Sequence, residues 1–308
     1  MKTSFAVVFP GQGSQYVGML ADWAEHYPIV LETFAMVSAR LGYDLWHLVQ
    51  TGPEEKLNQT LYTQVAMLTA DVAMYRVLME KSNTKPTIMA GHSLGEYAAL
   101  VCAGAIALED AALLVIKRAE VMQEAVPLGI GAMAAIIGLD DQTVLDVCEK
   151  VSTLESTVMP ANYNALGQVV IAGHFSAVER AMNAALLAEA RMVKIIPVSV
   201  PCHCVLLKDA AVRFAEDLLA APLKVPQCAV MSNVDLSIYS SVDDIRRLLA
   251  AQLYHPVRWV ETIQAIRARG VEEMIECGPG KILSGLIKRI DRALVVRNLT
   301  DLEEDEHG

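Results

Sequence analysis

Residues 86–102 hold the feature that most restricts the fold of this chain. A short β-rich run, 86–90, turns through Gly91-His92-Ser93-Leu94-Gly95 into an Ala-rich helix. A serine on so sharp a turn has its hydroxyl lifted clear of the sheet, and the flanking glycines remove the Cβ atoms that would collide there. The new helix aims free N–H groups and the positive end of its dipole at charge developing beside the serine. A strand feeding a helix in this way belongs to a parallel sheet covered on both faces. Residues 5–9, closed by Pro10-Gly11-Gln12-Gly13-Ser14, read as a second buried strand ending in a tight loop. Helical periodicity covers 19–41 and 63–81, and the apolar run 97–108 reads as a buried helix that stops at Glu109-Asp110.

The middle of the chain has a different rhythm. Strands are predicted over 132–138, 158–164, 168–172 and 192–200, with helices over 140–151 and 176–190 and Asp140 near the first N-cap. The order βαββαβ is that of a ferredoxin-like unit. The fold class is therefore α/β: a large body with a parallel sheet, like that of the α/β-hydrolases, formed by 1–128 and 200–308, and a ferredoxin-like subdomain inserted at 129–199. Beyond the insertion the chain returns to helices, then to a strand over 273–277, the loop Gly278-Pro279-Gly280 and a helix from 281.

Composition narrows the function classes. With 54% hydrophobic and 20% charged residues in 308, the chain suits a compact enzyme with a large core. Five of the acids behind its formal charge of -11 lie between Asp301 and Glu306, so the tail from about 301 is expected to be solvated and poorly ordered. A basic excess for nucleic acid is missing. The six cysteines form no disulfide framework, and Cys202-His203-Cys204 has no companion Cys/His pair at ligand spacing, so no metal is expected. No run is long enough to span a membrane, and 5–9 is too short for a signal-peptide core, which leaves the cytoplasm as the expected location.

A serine nucleophile needs a base. His92 adjoins Ser93 but is expected to face elsewhere in the turn, and His26 and His47 lie in helical or loop contexts before the motif. His174, His203 and His255 stay in contention, with His307 in the tail; His203 follows a strand and the rigid break at Pro201. Arg118 has Leu114, Val115, Val121 and Met122 one turn away, so its guanidinium sits on an apolar stripe and must find an anion. That anion is either a buried Asp or Glu or the carboxylate of a substrate, gripped by two parallel hydrogen bonds. Gly11-Gln12-Gly13 lacks the third glycine of a dinucleotide loop, because Tyr16 stands there. Such a loop at a strand end can instead offer a backbone N–H to an oxyanion.

Taken together, these residues resemble the malonyl-CoA:acyl carrier protein transacylases of bacterial type II fatty acid synthesis. The resemblance rests on Phe9-Pro-Gly-Gln-Gly-Ser-Gln15, Gly91-His-Ser-Leu-Gly-Glu-Tyr97, Met122-Gln-Glu-Ala-Val-Pro127, Gly131-Ala-Met-Ala134 and Gln168-Val-Val-Ile-Ala-Gly173. Val198-Ser-Val-Pro-Cys-His203, Gln252-Leu-Tyr-His-Pro256 and Gly278-Pro-Gly280 complete it. It implies that Ser93 is the nucleophile and His203 its general base, oriented by the backbone carbonyl of Gln252. It further implies an oxyanion hole from the N–H groups of Gln12 and Leu94, and Arg118 as the holder of the malonyl carboxylate. Asn162 would lie near the pocket, and His92 would support the turn. The implied partners are malonyl-CoA and acyl carrier protein, with no metal, no resident cofactor, no nucleic acid and no membrane, and the protein would act as a monomer. Carrier proteins of this kind are acidic, which makes Lys288, Arg289 and Arg292, or Arg191 and Lys194, candidates for a docking patch. The alternatives are malonyl transfer in polyketide assembly and a serine hydrolase or thioesterase, which would need an Asp or Glu behind the histidine. Three positions depart from the family pattern: Ala119, Cys202 and Cys277 stand where glycine, serine and valine are usual.

Overall fold

A computed structural model describes residues 4–82, 84–127, 129–198 and 200–299, and the acidic tail from 301 lies outside the described residues. The chain builds two sheets. The larger takes β1 (Phe5–Phe9), β2 (Ile88–Gly91), β7 (Ala229–Met231), β8 (Glu273–Glu276) and β9 (Val295–Asn298) in the order β7-β2-β1-β8-β9, with every neighbouring pair parallel. β1 runs through the centre and is buried along its length. Its alternate residues serve two cores: Phe5, Val7 and Phe9 face one layer of helices, while Ala6 and Val8 face Trp259, Ile263 and Leu286 on the other. Two covered faces are why a parallel strand reads as a continuous apolar run.

The smaller sheet takes β3 (Gly131–Ile137), β4 (Val158–Ala165), β5 (Gln168–His174) and β6 (Met192–Ile196) in the order β4-β5-β3-β6, with every neighbouring pair antiparallel. This is the order a βαββαβ chain adopts in a ferredoxin-like unit. Helices Asp141–Val151 and Phe175–Leu187 cover one face, packing Val144, Val147, Ala177 and Ala181 against Ala134, Ile136, Val169 and Ile171. The opposite face carries Met133, Val170 and Ala172 toward Cys204 of the body. Asp140 caps its helix as expected, accepting from the Thr143 N–H at 2.9 Å. The small sheet is tied to the body by backbone hydrogen bonds to the segment before helix Trp259–Ala268, Tyr163 N–H to the Val257 carbonyl and Val257 N–H to that of Ala161, both 2.9 Å.

Several boundaries differ from expectation. The helical region 19–41 is two helices, Ala21–His26 and Pro28–Leu41, because Pro28 restarts the helix at its first turn, where a missing N–H costs nothing. The apolar run 97–108 is helical only through Cys102; Gly104 at φ 76° breaks it before the next helix, Leu108–Ala125. β6 ends at Ile196, since Pro197 cannot donate to the ladder.

The serine turn packs onto the end of β1 as the glycine spacing implies. A Cβ on Gly91 would lie 1.8 Å from the carbonyl carbon of Gly95, and one on Gly95 would lie 2.1 Å from the Phe9 oxygen. Both obstacles are backbone. Gly95→Ala is therefore expected to destabilise the protein by about 3 kcal/mol or more through forced backbone displacement, read as a large fall in the midpoint of thermal unfolding; a melting curve matching the parent's would show that the turn can open.

Candidate active site

The C-terminal ends of β1 and β2 place Gln12 and Ser93 at the rim of the large sheet, where ligands bind in open parallel sheets. Ser93 stands two residues beyond the end of β2 and adopts φ 53°. Its N–H donates to Asn233 Oδ1 at 2.7 Å and its carbonyl accepts from Gln252 Nε2 at 3.0 Å. Asn233 donates in turn to the Gly91 carbonyl at 2.7 Å. Helix Gly95–Cys102 begins immediately after Leu94, so the Leu94 N–H lies at a helix N-terminus beside the serine hydroxyl.

His203 comes from the loop after β6, at φ 59°, with its N–H on the Leu253 carbonyl at 2.9 Å. Its ring connects two partners: Nε2 lies 2.7 Å from Ser93 Oγ and Nδ1 2.8 Å from the Gln252 carbonyl oxygen. A peptide oxygen can only accept, so Nδ1 carries the proton and Nε2 is free to take one from the serine. Burial, with the Arg118 charge second, lowers the imidazole pKa to about 3, so the ring is neutral at physiological pH. The other two histidines lie elsewhere. His174 Nδ1 accepts from the Thr157 N–H at 3.0 Å in the small sheet, and His255 is exposed against Tyr254.

Arg118, on helix Leu108–Ala125, is only 1% exposed. It donates to Gln64 Oε1 at 2.8 Å, to Gln252 Oε1 at 3.0 Å and to Ser93 Oγ at 3.3 Å, and its guanidinium lies over the Tyr97 ring. All these partners are neutral. Among the described residues Arg118 has no ion-pair partner and its Nε has no acceptor, which removes the buried salt bridge from its two readings.

The cleft over Ser93 holds about 190 Å³ and is shared between the two sheets. The body contributes Gln12, Thr60, His92, Cys202 and His203, while Met133, Asn162 and Val170 of the small sheet form its far wall. Gln12 donates through Nε2 to Thr60 Oγ1 at 2.8 Å. His92 does line the cleft rather than facing away from it, and its ring is held by Asn164 Oδ1 at 2.8 Å and by an edge contact with Trp259. Cys202 and Cys204 are thiols, raised by burial to about 11 and about 12, and no group of three or more His, Cys, Asp or Glu among the described residues could hold a metal ion. No described helix is long and apolar enough to cross a membrane.

Residue patterns alone missed the layer behind the site. Glu96 is fully buried and accepts from Gln252 Nε2 at 2.6 Å, from the Asn233 N–H at 3.3 Å and from the Tyr239 hydroxyl. Burial raises its pKa to about 7, against the pull of those three donors and of Arg118. Its signal was available, an acid in an otherwise apolar helix, whereas nothing local marks Asn233 or Tyr239.

A hydroxyl bonded to a neutral imidazole, beside a helix N-terminus and a buried unpaired guanidinium, is equipped to take up an acyl group that carries an anion. That chemistry agrees with the comparisons: the chain belongs to the acyl transferase domain family, whose model it matches over residues 6–294. Within that family it is 54% identical to the malonyl CoA-acyl carrier protein transacylase of Escherichia coli K12, across 97% of this chain and 96% of that one. Among solved structures, the malonyl CoA-acyl carrier protein transacylase of Coxiella burnetii superposes with a TM-score of 0.95 at 53% identity, over 97% and 94% of the two chains. A malonyl-transacylase solved in complex with its type II polyketide acyl carrier protein superposes equally well, at 0.95 and 51% identity, over 96% of each chain.

The two buried titrating groups impose opposite pH dependences on folding. Between its folded value of about 3 and the usual 6.5, residue 203 binds a proton in the unfolded chain but not in the native one. Its contribution is therefore complete above 6.5 and is lost as pH falls toward 3, at up to about 1.4 kcal/mol per pH unit. Glu96 contributes fully below its usual 4.5, and that contribution is lost as pH rises through about 7. Urea unfolding from pH 4 to 8 should show a shallower acid limb for His203→Gln and a shallower decline toward pH 8 for Glu96→Gln. Curves parallel to the parent's would contradict both assignments.

Proposed function

We propose that this chain moves a malonyl group from malonyl-CoA to the phosphopantetheine thiol of acyl carrier protein through a malonyl ester of Ser93. The observation that carries this reading is the pairing of Ser93 Oγ with His203 Nε2 at 2.7 Å, with the unpaired Arg118 guanidinium 3.3 Å from the same oxygen. Ser93 Oγ attacks the thioester carbon while His203 Nε2 takes its proton, and the tetrahedral oxyanion is received by the N–H groups of Gln12 and Leu94. Collapse breaks the carbon–sulfur bond, and His203 returns the proton to the departing coenzyme A sulfur. The carrier thiol then gives its proton to His203 and attacks the ester carbon, and as the carbon–oxygen bond breaks His203 returns that proton to Ser93 Oγ. Gln252 orients the imidazole through its carbonyl, Arg118 grips the malonyl carboxylate, and Asn162 and His92 shape the cleft around the acyl group. Every step uses side chains, backbone donors and the two thiols, so no resident cofactor is called on, and the reaction belongs in the cytoplasm. In this reading 129–199 is the inserted subdomain that covers the serine of the body.

A hydrolase would call for a carboxylate behind the histidine, and it would leave Arg118 without a purpose. Transfer to a polyketide carrier is the second reading, favoured by the 51% identical transacylase whose partner is such a carrier. The chemistry is shared, and presenting both kinds of carrier to the malonylated protein separates the two.

The same reading calls for a basic docking patch for the carrier, supported by the exposure of the two clusters. Arg289 donates to Gln168 Oε1 at 2.7 Å, Gln168 pairs with Ile137, and Ile137 pairs with Met192 beside Arg191. Lys288, Arg289, Arg191 and Lys194 are all exposed, and in this reading they form the basic surface that receives the acidic carrier. Reversing the charge of both clusters should raise KM for carrier about tenfold or more and leave acylation by malonyl-CoA unchanged; unaltered transfer kinetics would sink the assignment.

Incubation with malonyl-CoA, an acid quench and peptide mass analysis should find one malonyl group on the peptide containing Ser93, removed by added carrier. Steady release of coenzyme A without an adduct would favour the hydrolase. Arg118→Ala should lower kcat/KM for malonyl-CoA relative to acetyl-CoA by about ten- to a hundredfold, the worth of a charge-assisted hydrogen bond. Equal losses on both substrates would make Arg118 a structural residue.

A further inference from the structure

We propose that Glu96 is the positioning residue for acyl selectivity, acting on Arg118 through the side-chain amide of Gln252; this rests on Arg118 being the carboxylate grip. A primary amide has two donors on one side and an acceptor on the other, and its partners decide which way it points. Gln252 Nε2 faces two groups that accept, Glu96 Oε2 at 2.6 Å and the Ser93 carbonyl at 3.0 Å. Its Oε1 is consequently turned to Arg118 Nη2 at 3.0 Å. Were the amide reversed, its N–H groups would face the guanidinium, donor against donor, and Arg118 would be pushed off the line that brings it to Ser93 Oγ.

Glu96 is itself held by groups outside this relay, the Tyr239 hydroxyl and the Asn233 N–H at 3.3 Å. The carboxylate is thus anchored, the amide is oriented by it, and the guanidinium is aimed by the amide. The intervening amide also matters for binding. A carboxylate touching Arg118 directly would occupy the donors that an acidic acyl group needs, whereas the Gln252 oxygen aims them and gives way at little cost because it is neutral.

The test is kcat/KM for serine acylation by malonyl-CoA and by acetyl-CoA in the full-length parent, Glu96→Ala, Glu96→Gln and Arg118→Ala, with unfolding followed by circular dichroism. Glu96→Ala should reduce the malonyl-to-acetyl ratio at least tenfold, chiefly through malonyl-CoA. Glu96→Gln can present its oxygen to Gln252 and its amide N–H to the Tyr239 oxygen, so it should recover most of that ratio. An unchanged ratio in Glu96→Ala, or an equal fall on both substrates that Glu96→Gln does not rescue, overturns the proposal. Should Glu96→Ala fail to fold, Glu96→Asp, which withdraws the carboxylate from Gln252 by one methylene, must lower the ratio in the same direction, and no change there overturns it as well. Arg118→Ala separates the two levels: if it leaves the ratio intact, the grip itself is refuted and this inference with it. If only Arg118→Ala lowers the ratio, the grip stands and the role of Glu96 falls.

Discussion

The site depends on a serine kept at φ 53° in a turn with no space for a side chain at either flanking glycine. A residue other than glycine in the left-handed region costs about 1–3 kcal/mol and persists only where its surroundings over-determine it. Here both peptide groups of Ser93 are tied, the N–H to Asn233 and the carbonyl to Gln252. His203, at φ 59°, is tied in the same manner, its N–H to Leu253 and its ring to the Gln252 carbonyl. Two strained residues meet at hydrogen-bonding distance because Gln252, at the last position of helix Val242–Gln252, holds one with its side chain and the other with its backbone. The strain is what lifts the hydroxyl and the imidazole out of their loops into a common cleft.

Arg118 is the second constraint. A buried guanidinium without a counter-ion carries a desolvation penalty of several kcal/mol, and the structure meets it with oxygens of Gln64, Gln252 and Ser93 and the face of Tyr97. Neutral acceptors satisfy the N–H groups and leave the charge in place. The carboxyl group of Glu96 stands one amide away, so among the described residues no acid touches the guanidinium itself.

Local features of the chain were legible in the sequence, and long-range ones were not. The serine turn could be read because its glycines act within five residues, and the small sheet because its strands and helices differ in apolar period. β7 and β9, three and four residues long, are too short for any period to show. The run 97–108 reads as one helix because buried turns and buried helices share an apolar composition, and only Gly104 marks the break. Arg118 stood out as a charge on an apolar stripe, and Glu96 offered the same signal. His203 could not be told from His174 or His255 by pattern, since only the return of the chain after β6 brings it to Ser93; the family resemblance supplied that choice. Asn233 and Tyr239 reach the site through contacts more than 130 residues apart in the chain.

Strand alternation in the inserted sheet ties the fold to the acid–base chemistry. Ala132 and Ala134 of β3 meet the covering helices, while Met133 between them turns to the cleft with Val170 of β5. That apolar wall dries the serine–histidine pair, and burial is the larger cause of the lowered His203 pKa, with the Arg118 charge the second. An imidazole at about 3 is a weak base, which keeps Ser93 protonated while no acyl group is present. In the proposed reaction the malonyl carboxylate neutralises Arg118 and so removes the second cause, while the oxyanion that develops at the thioester carbon favours an imidazolium beside it. The base therefore strengthens as an acidic acyl group arrives and as the transition state forms. An uncharged acyl group supplies only the latter, so one arginine can discriminate in binding and again in proton transfer.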